Sequence, residues 1–450
     1  MCYAAERIQQ LLQMPRVVVA KGVMAQLERA GFQAYLVGGA VRDALLGRAI
    51  GDIDLATSAT PDEVQALFPH AVPTGLAHGT VTVVARGEPF EVTTFRQEGP
   101  YVDKRHPAYV HYVRDITDDL ARRDFTINAL ACDSRGHLVD PFGGLADLQA
   151  GIVRAVGQPR DRFREDALRL LRALRFAAQL DFTIDRETVA AMRDEAASLG
   201  ALAAERVRTE LHKLLAAPQP GRVLQLLWTE ELLPHIAPLT DSLEGVVPDA
   251  DARLGANGSG TGNGTRAFSS VNWRPSSDQL AQIENELDVA LRWILFLRLC
   301  GATAGQARSL ARALRMSRQQ MDELAYIWQA ADSWQRTLLS PREARAAAFA
   351  HGLAPALRIV RLAHYFGQVT AVERQLLERQ LCHADWELAV EQVTQLALDS
   401  AAMIRLAGRR PGPWLGRVRQ ALLEKVVAGE VVNDAHRLER EWRLHGPDAP

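Results

Sequence analysis

The chain is short of cysteine, of long apolar runs and of any surplus of one charge. Its four cysteines, Cys2, Cys132, Cys300 and Cys382, stand far apart, and no pair has metal-clamp or redox spacing. That pattern excludes a disulfide framework and points to a reducing, cytoplasmic setting. The start of the chain lacks the apolar core of a secretory leader. The most apolar stretch, "VALRWILFLRLCGA", carries Arg292 and Arg298. It is too short and too charged to span a membrane and reads as a packed helix. Lysine and arginine number 52 against 54 aspartate and glutamate, for a net charge of −2. No bulk basicity draws the chain to nucleic acid, so any such contact must come from local patches. The twelve histidines form no convincing ligand set.

What is present is an ordinary globular composition, 48% hydrophobic and 24% charged, over 450 residues. That length exceeds one core and implies roughly two to four domains. Residues 1–30 carry apolar positions at helical spacing. From about 33 to 140 the pattern turns mixed. "AYLVGG" and "DIDLAT" read as short strands, and "GTVTVVA" and "PFEVTTFR" as neighbouring strands. "TPDEVQALF" opens a helix, with Thr60 as N-cap and Pro61 at the first helical position. Beyond about 150, segments such as "FREDALRLLRALRFAAQL" and "AAERVRTELHKLLAA" are helical. Residues 251–278 are rich in Gly, Ser and Asn and read as a flexible loop. The fold class is α+β. A mixed-sheet head spans 1–150 and a helical neck 151–215; a helical body follows over 216–340 and a helical tail over 341–450.

The stretch "YLVGGAVRDALLGRAIGDIDLAT" carries the first chemistry. Side chains two apart on a strand share a face, so Asp52 and Asp54 project together with Ile53 opposite. Such a pair calls for a cation, and a hard divalent ion such as Mg²⁺ suits carboxylate and phosphate oxygens. Gly38 and Gly39 precede a helix start, where backbone can approach a phosphate closely, and Arg42 stands in the first turn to reach the same anion. The bland alternative is a tight turn beside a solvated acidic strand end.

The pair of glycines, twelve residues, then "DIDL" resembles the nucleotidyltransferase signature. The longer match resembles the class II tRNA nucleotidyltransferases, the CCA-adding enzymes, and related bacterial poly(A) polymerases. "TGLAHGTVTV", "EVTTFR", "DLARRDFTINALA", "DPFGGLADL", "RFREDALRLLRALRFAAQL" and "ERVRTELHKLL" follow in the family's order, so the resemblance covers roughly 33–215. It is weaker in "GPWLGRVRQALLEKVVAGEVVND".

The resemblance implies that Arg123 lies near the phosphates and that Asp124 and Asn128 lie near the ribose. Without it, Asp124 is a helix N-cap and Arg122 and Arg123 an exposed basic pair. It also implies that Asp166 and Arg169 read the base, where spacing alone suggests a surface ion pair. A carboxylate accepts from the exocyclic amino group of cytosine or adenine, and a guanidinium donates to the ring nitrogen beside it. Uracil and guanine would leave polar groups unpaired there. Arg172 and Arg175 extend the basic stripe toward phosphates. Glu91 is either a third carboxylate near the metals or an outward-facing residue.

Residues 97–115 resemble the family's flexible loop, whose presence favours addition of the terminal A. Some relatives carry a phosphohydrolase domain with a His-Asp pair, and this chain has no such dipeptide. Arg409, Arg410, Arg417 and Arg419 with Trp414 form the best basic patch for tRNA. The implied activity is metal-dependent extension of a tRNA 3′ end with C, C and A from CTP and ATP. A poly(A) polymerase, an enzyme adding only A, and a non-catalytic RNA-binding protein remain as alternatives.

Overall fold

A computed structural model describes residues 2–99, 109–240, 274–334, 352–387 and 393–445. The helical start divides in two, α1 (Cys2–Gln13) and α2 (Pro15–Arg29), because Pro15 can begin a helix but cannot continue one. Both bury apolar stripes, Ile8, Leu11 and Leu12 on one and Val17, Val23, Met24 and Leu27 on the other.

The sheet that follows has seven strands. They are β1 (Ala34–Val37), β2 (Asp54–Thr57), β3 (Val72–Gly75), β4 (Thr80–Ala85), β5 (Glu88–Thr94), β6 (Ala131–Cys132) and β7 (Leu138–Val139). Their spatial order is β3-β4-β5-β2-β1-β6-β7. Only β2 and β5 pair in parallel, so the sheet is mixed as expected. The alternation in "GTVTVVA" and "PFEVTTFR" appears as the antiparallel pair β4–β5, with Val81, Val83, Phe90 and Val92 buried.

Helix α3 (Gly39–Leu45) connects β1 to β2, and α4 (Pro61–Leu67) follows β2. Thr60 caps α4 in a reciprocal capping box with Glu63, and Pro61 takes the first helical position. Helix α5 (Ile116–Ala121) packs its Ile116 and Leu120 with Val37, Ala56 and Phe95 beneath the sheet. The termini of the loop region form a small hairpin, Arg96–Glu98 against Val110–Tyr112. Its expected flexible centre, 100–108, lies outside the described residues, as does most of 251–278. Ser277 and Asp278 already belong to a helix, Ser277–Asn285, capped by Ser276.

The long helices begin at Pro159. They include α6 (Pro159–Glu165), α7 (Leu168–Leu180), α8 (Arg186–Asp194) and α9 (Ala204–Leu215). The segment "FREDALRLLRALRFAAQL", expected as one helix, breaks at Asp166 and Ala167. Asp166 leaves helical geometry (φ −143°, ψ 105°), and its carboxylate accepts the Leu168 N–H at 3.0 Å. That side-chain bond competes with the helical ladder and ends it.

The chain divides into two compact units, Met1–Gly301 with Ala313–Arg315 and Ala302–Arg312 with Met316–Pro450. In the second unit every regular element of the described residues is helical. One of its cores gathers Met403, Val418, Leu422 and Leu438 around Trp414 and Trp442, which stack at 6.0 Å.

Candidate active site

Strand pairing brings the expected acidic and glycine residues into one row. Val37 pairs with Asp54, and Asp54 pairs with Glu91. Adjacent strands lie about 4.8 Å apart, so the Gly38 end of β1, Asp54 and Glu91 stand side by side. The strand β2 starts at Asp54, one step later than expected. Asp52 and Ile53 precede it in extended chain, but the alternation holds: Asp52 is exposed, Ile53 buried and Asp54 half-buried.

Asp54 titrates above the ordinary carboxylate range. Burial is the main cause, the Glu91 charge adds to it, Arg123 opposes it and Asp52 adds a smaller push. A crowded carboxylate with no ion-pair partner is the environment in which a divalent cation binds favourably. Asp52, Asp54 and Glu91 therefore fit the expected metal. Among the described residues no three acidic, imidazole or thiolate groups form a closed cage. The set is an open partial shell, suited to a metal whose remaining ligands are phosphate oxygens.

Gly38 takes φ 67°, which only glycine adopts freely, and a Cβ there would lie 3.0 Å from Arg123 Nη1. Arg123 thus sits directly against the Gly-Gly turn. Its Nη2 donates to Asp119 at 3.2 Å, and its buried Nε has no partner. Asp119 is buried, and burial pushes its pKa up, but Arg122 and Arg123 outweigh that and hold it low. Arg42 does not lie free beside an anion site. It grips Asp43 through two nitrogens at 2.9 Å and donates to Asn128 Oδ1 at 2.7 Å.

Asp124 is not an N-cap. The turn Thr126–Asn128 begins after Phe125, and Asp124 instead accepts from Asn128 Nδ2 at 2.9 Å and from Arg172 Nε at 2.7 Å. Burial disfavours its charge, yet Arg172 and Asn128 bring its pKa down to about 2. A chain Arg42–Asn128–Asp124–Arg172 therefore links α3 of the head to α7. Phe176 lies beneath it, with the guanidinium carbons of Arg42, Arg172 and Arg175 at 5.1, 5.4 and 4.2 Å from its ring centre.

The stripe expected from Arg172 and Arg175 toward phosphates is a set of ion pairs instead. Arg172 is held by Asp124. Arg175 Nε stands 2.8 Å from Glu210 Oε2, a contact whose atoms are not aligned as a hydrogen bond. The helix break has a physical consequence too. Asp166 and Arg169 are not a surface pair on one helix, and they do not bond through their side chains. Asp166 Oδ2 accepts from Arg206 at 2.7 Å, and Arg169 donates to Glu165 and to the carbonyls of Arg162 and Arg122 at 3.2 Å.

Sequence reasoning missed Glu165, Arg206, Asp119 and Phe176. Glu165 and Asp119 carried a signal, being four residues before Arg169 and Arg123. Arg206, forty residues after Asp166, and Phe176 carried none. In the second unit Arg409 stacks on Trp414 at 4.4 Å, and Arg409, Arg410 and Arg417 are exposed. Arg419 turns inward to Ser400 Oγ and the Val393 carbonyl.

Comparison with known proteins agrees with this layout. Residues 34–154 match the poly A polymerase head domain. Residues 181–244 match its RNA and SrmB-binding site, and 286–441 match tRNA nucleotidyltransferase domain 2. The chain is 36% identical to the CCA-adding enzyme of Geobacillus kaustophilus over 421 residues, which is 93% of this chain and 95% of that one. It is 33% identical to the CCA-adding enzyme of Leuconostoc mesenteroides, over 96% and 97% of the two chains. The crystal structure of the Bacillus stearothermophilus CCA-adding enzyme in complex with CTP superposes with a TM-score of 0.72. That match has 32% identity and covers 95% of this chain and 96% of the other.

Proposed function

This chain belongs to the family of CCA-adding enzymes, and we propose that it extends the 3′ end of tRNA with C, C and A from CTP and ATP. The row of Gly38, Asp54 and Glu91, set against Arg123, carries this reading. The chemistry is nucleotidyl transfer: the 3′ hydroxyl attacks the α-phosphorus, a new P–O bond forms, and pyrophosphate leaves.

Asp52 and Asp54 hold the metal, Mg²⁺, which when bound supplies positive charge for the reacting phosphate and the leaving pyrophosphate. Glu91 accepts the proton of the attacking hydroxyl. Gly38 and Gly39 give the triphosphate close access to backbone, and Arg123 donates to its oxygens. Asp124 and Asn128, locked by Arg172 and Arg42, form the floor under the ribose. Arg42, Arg172 and Arg175 then act by holding this floor and not by touching phosphate.

Selection of C and A falls to Asp166 and Arg169. Each carboxylate oxygen of Asp166 has one bonded partner and retains an acceptor position. Arg169 has Nη1 and one Nη2 hydrogen engaged, leaving Nε–H and a second Nη2 hydrogen for a base. Both groups are thus fixed in direction and still open to a ligand.

The head, neck, body and tail divide the work, with tRNA carried by the tail arginines around Trp414. The substrates place the enzyme in the cytoplasm. No helix among the described residues is long and apolar enough to cross a membrane. The test is incorporation of labelled CTP and ATP into tRNA ending before the first C and into tRNA ending in CC. Extension of both confirms whole-CCA addition. Extension of the second alone assigns an A-only enzyme, and long A tracts on either assign a poly(A) polymerase.

A further inference from the structure

A cavity of about 410 Å³ lies away from the acidic row, between the end of α3 and the C-terminal ends of α7 and α9. Arg42, Arg48, His212 and Lys213 line it, with Asp43 the one acid. Asp43 is committed to Arg42, and its two oxygens take two of the Arg42 nitrogens. Arg48 and Lys213 are exposed, and among the described residues neither has a carboxylate partner. Trp293 donates its indole N–H to His212 Nδ1 at 3.2 Å. In the neutral ring that leaves Nε2–H as the free donor. The lining therefore offers two unpaired cations and an imidazole donor without a counter-charge.

Helix-end electrostatics do not account for these cations. Lys213 stands in the last turn of α9, where a cation is favoured by the helix dipole. That helix end is already served by the buried Arg292, whose Nη1 donates to the Leu215 carbonyl at 2.6 Å and the Ala217 carbonyl at 2.7 Å. Arg48 follows α3 in irregular chain and caps no helix.

We infer that this cavity binds a backbone phosphate of the tRNA acceptor strand, with Arg48 and Lys213 as its cationic contacts and His212 as a neutral donor. The inference rests on the reading of tRNA as substrate. Its position supports the choice of strand. Leu180, at the cavity, is eleven residues along α7 from Arg169, which is about 16 Å of helix. Stacked nucleotides rise about 3.4 Å each, so a strand whose 3′ end meets Arg169 reaches this cavity within roughly five nucleotides. A chain with net charge −2 needs such local contacts to hold RNA at all.

The test is the double variant Arg48→Ala, Lys213→Ala, with Lys213→Glu beside it. Both residues are exposed, so the melting temperature should stay within the range of ordinary surface substitutions. Affinity for tRNA lacking CCA is measured across a salt series, together with KM for CTP at saturating tRNA. The double variant should weaken tRNA binding roughly tenfold at low salt and reduce the slope of log K against log salt by about 1.4–1.8. KM for CTP and the order of C, C, A addition should be unchanged. A hairpin carrying only the acceptor stem should lose the same factor. Unchanged tRNA affinity and slope would overturn the assignment, and so would a loss confined to full-length tRNA or a rise in KM for CTP alone. A wild-type protein that adds nothing to tRNA would instead refute the functional reading, which this comparison keeps separate.

Discussion

The strand edge of the head and the helices behind it treat charge in opposite ways. On the edge, Asp52, Asp54 and Glu91 stand together, and among the described residues none has an ion-pair partner. Among the helices, Asp124, Asp166, Glu165 and Glu210 each hold an arginine. The open set leaves its electrostatic cost unrelieved, which is where a ligand gains most. The closed set is relieved within the protein, which fixes side-chain direction. The contrast separates residues that act on a ligand from residues that aim the ones that act.

The sharpest way to break this comparison is to remove the open charge. Asp54→Ala, and separately Asp52→Ala, should abolish addition of both C and A, by at least about a thousandfold. Affinity for tRNA should stay near wild type, because neither residue is part of a basic patch. Turnover within tenfold of wild type in either variant would remove the metal assignment. Next in size is Arg169→Ala. A bidentate base contact is worth about 1–3 kcal/mol, so the preference for CTP over UTP should fall roughly ten- to a hundredfold. An unchanged ratio of kcat/KM values, in a folded protein, would return Arg169 to a purely structural role.

Sequence carried the open set better than the closed one. Gly38, Gly39, Asp52 and Asp54 lie within one short segment, where strand alternation and glycine chemistry act locally. Thr60, Pro61 and the strand pair β4–β5 were legible for the same reason. The break at Asp166–Ala167 was not, since "EDALRLL" has good helical propensity throughout. What ends the helix is one side-chain bond to the Leu168 N–H. Asp124 read as an N-cap because Asp before a turn usually is one. Its actual partner, Arg172, is 48 residues away. Long-range ion pairs have no local signature, so Arg42, Arg172 and Arg175 looked like free phosphate ligands when each is committed to an acid.

A closed pair can be tested by titration. The Asp124 carboxyl ionises near pH 2 in the folded chain, against an ordinary 3.8. A lowered folded pKa means the carboxylate contributes stability above about pH 4 and loses it as pH falls through 2. The shift corresponds to about 2 kcal/mol. Chemical denaturation of the wild type should show that loss between pH 4 and 2, and Asp124→Asn should be less stable at neutral pH without this acid slope. A variant that keeps the wild-type slope would assign the acid sensitivity to another carboxylate.

The smallest expected effect sharpens the comparison most, because it asks whether a closed pair reaches the chemistry. Arg206 touches Asp166 and not the acidic row, so it can act only by aiming that carboxylate. The pair is partly exposed, with 24% and 19% of the two side chains open to solvent. Such a pair is worth about 0.2–1 kcal/mol, which predicts a two- to fivefold fall in CTP over UTP preference for Arg206→Ala. Asp166 retains the Leu168 N–H in that variant and should keep part of its direction. KM for CTP should rise more than kcat falls, since the base is held less well while the reacting groups are unmoved. Arg206→Lys keeps the charge without the planar fork and should recover part of the selectivity. A drop in stability with an unchanged CTP-to-UTP ratio would make Arg206 a strut alone, and aiming would then rest on the helix break and its single backbone bond.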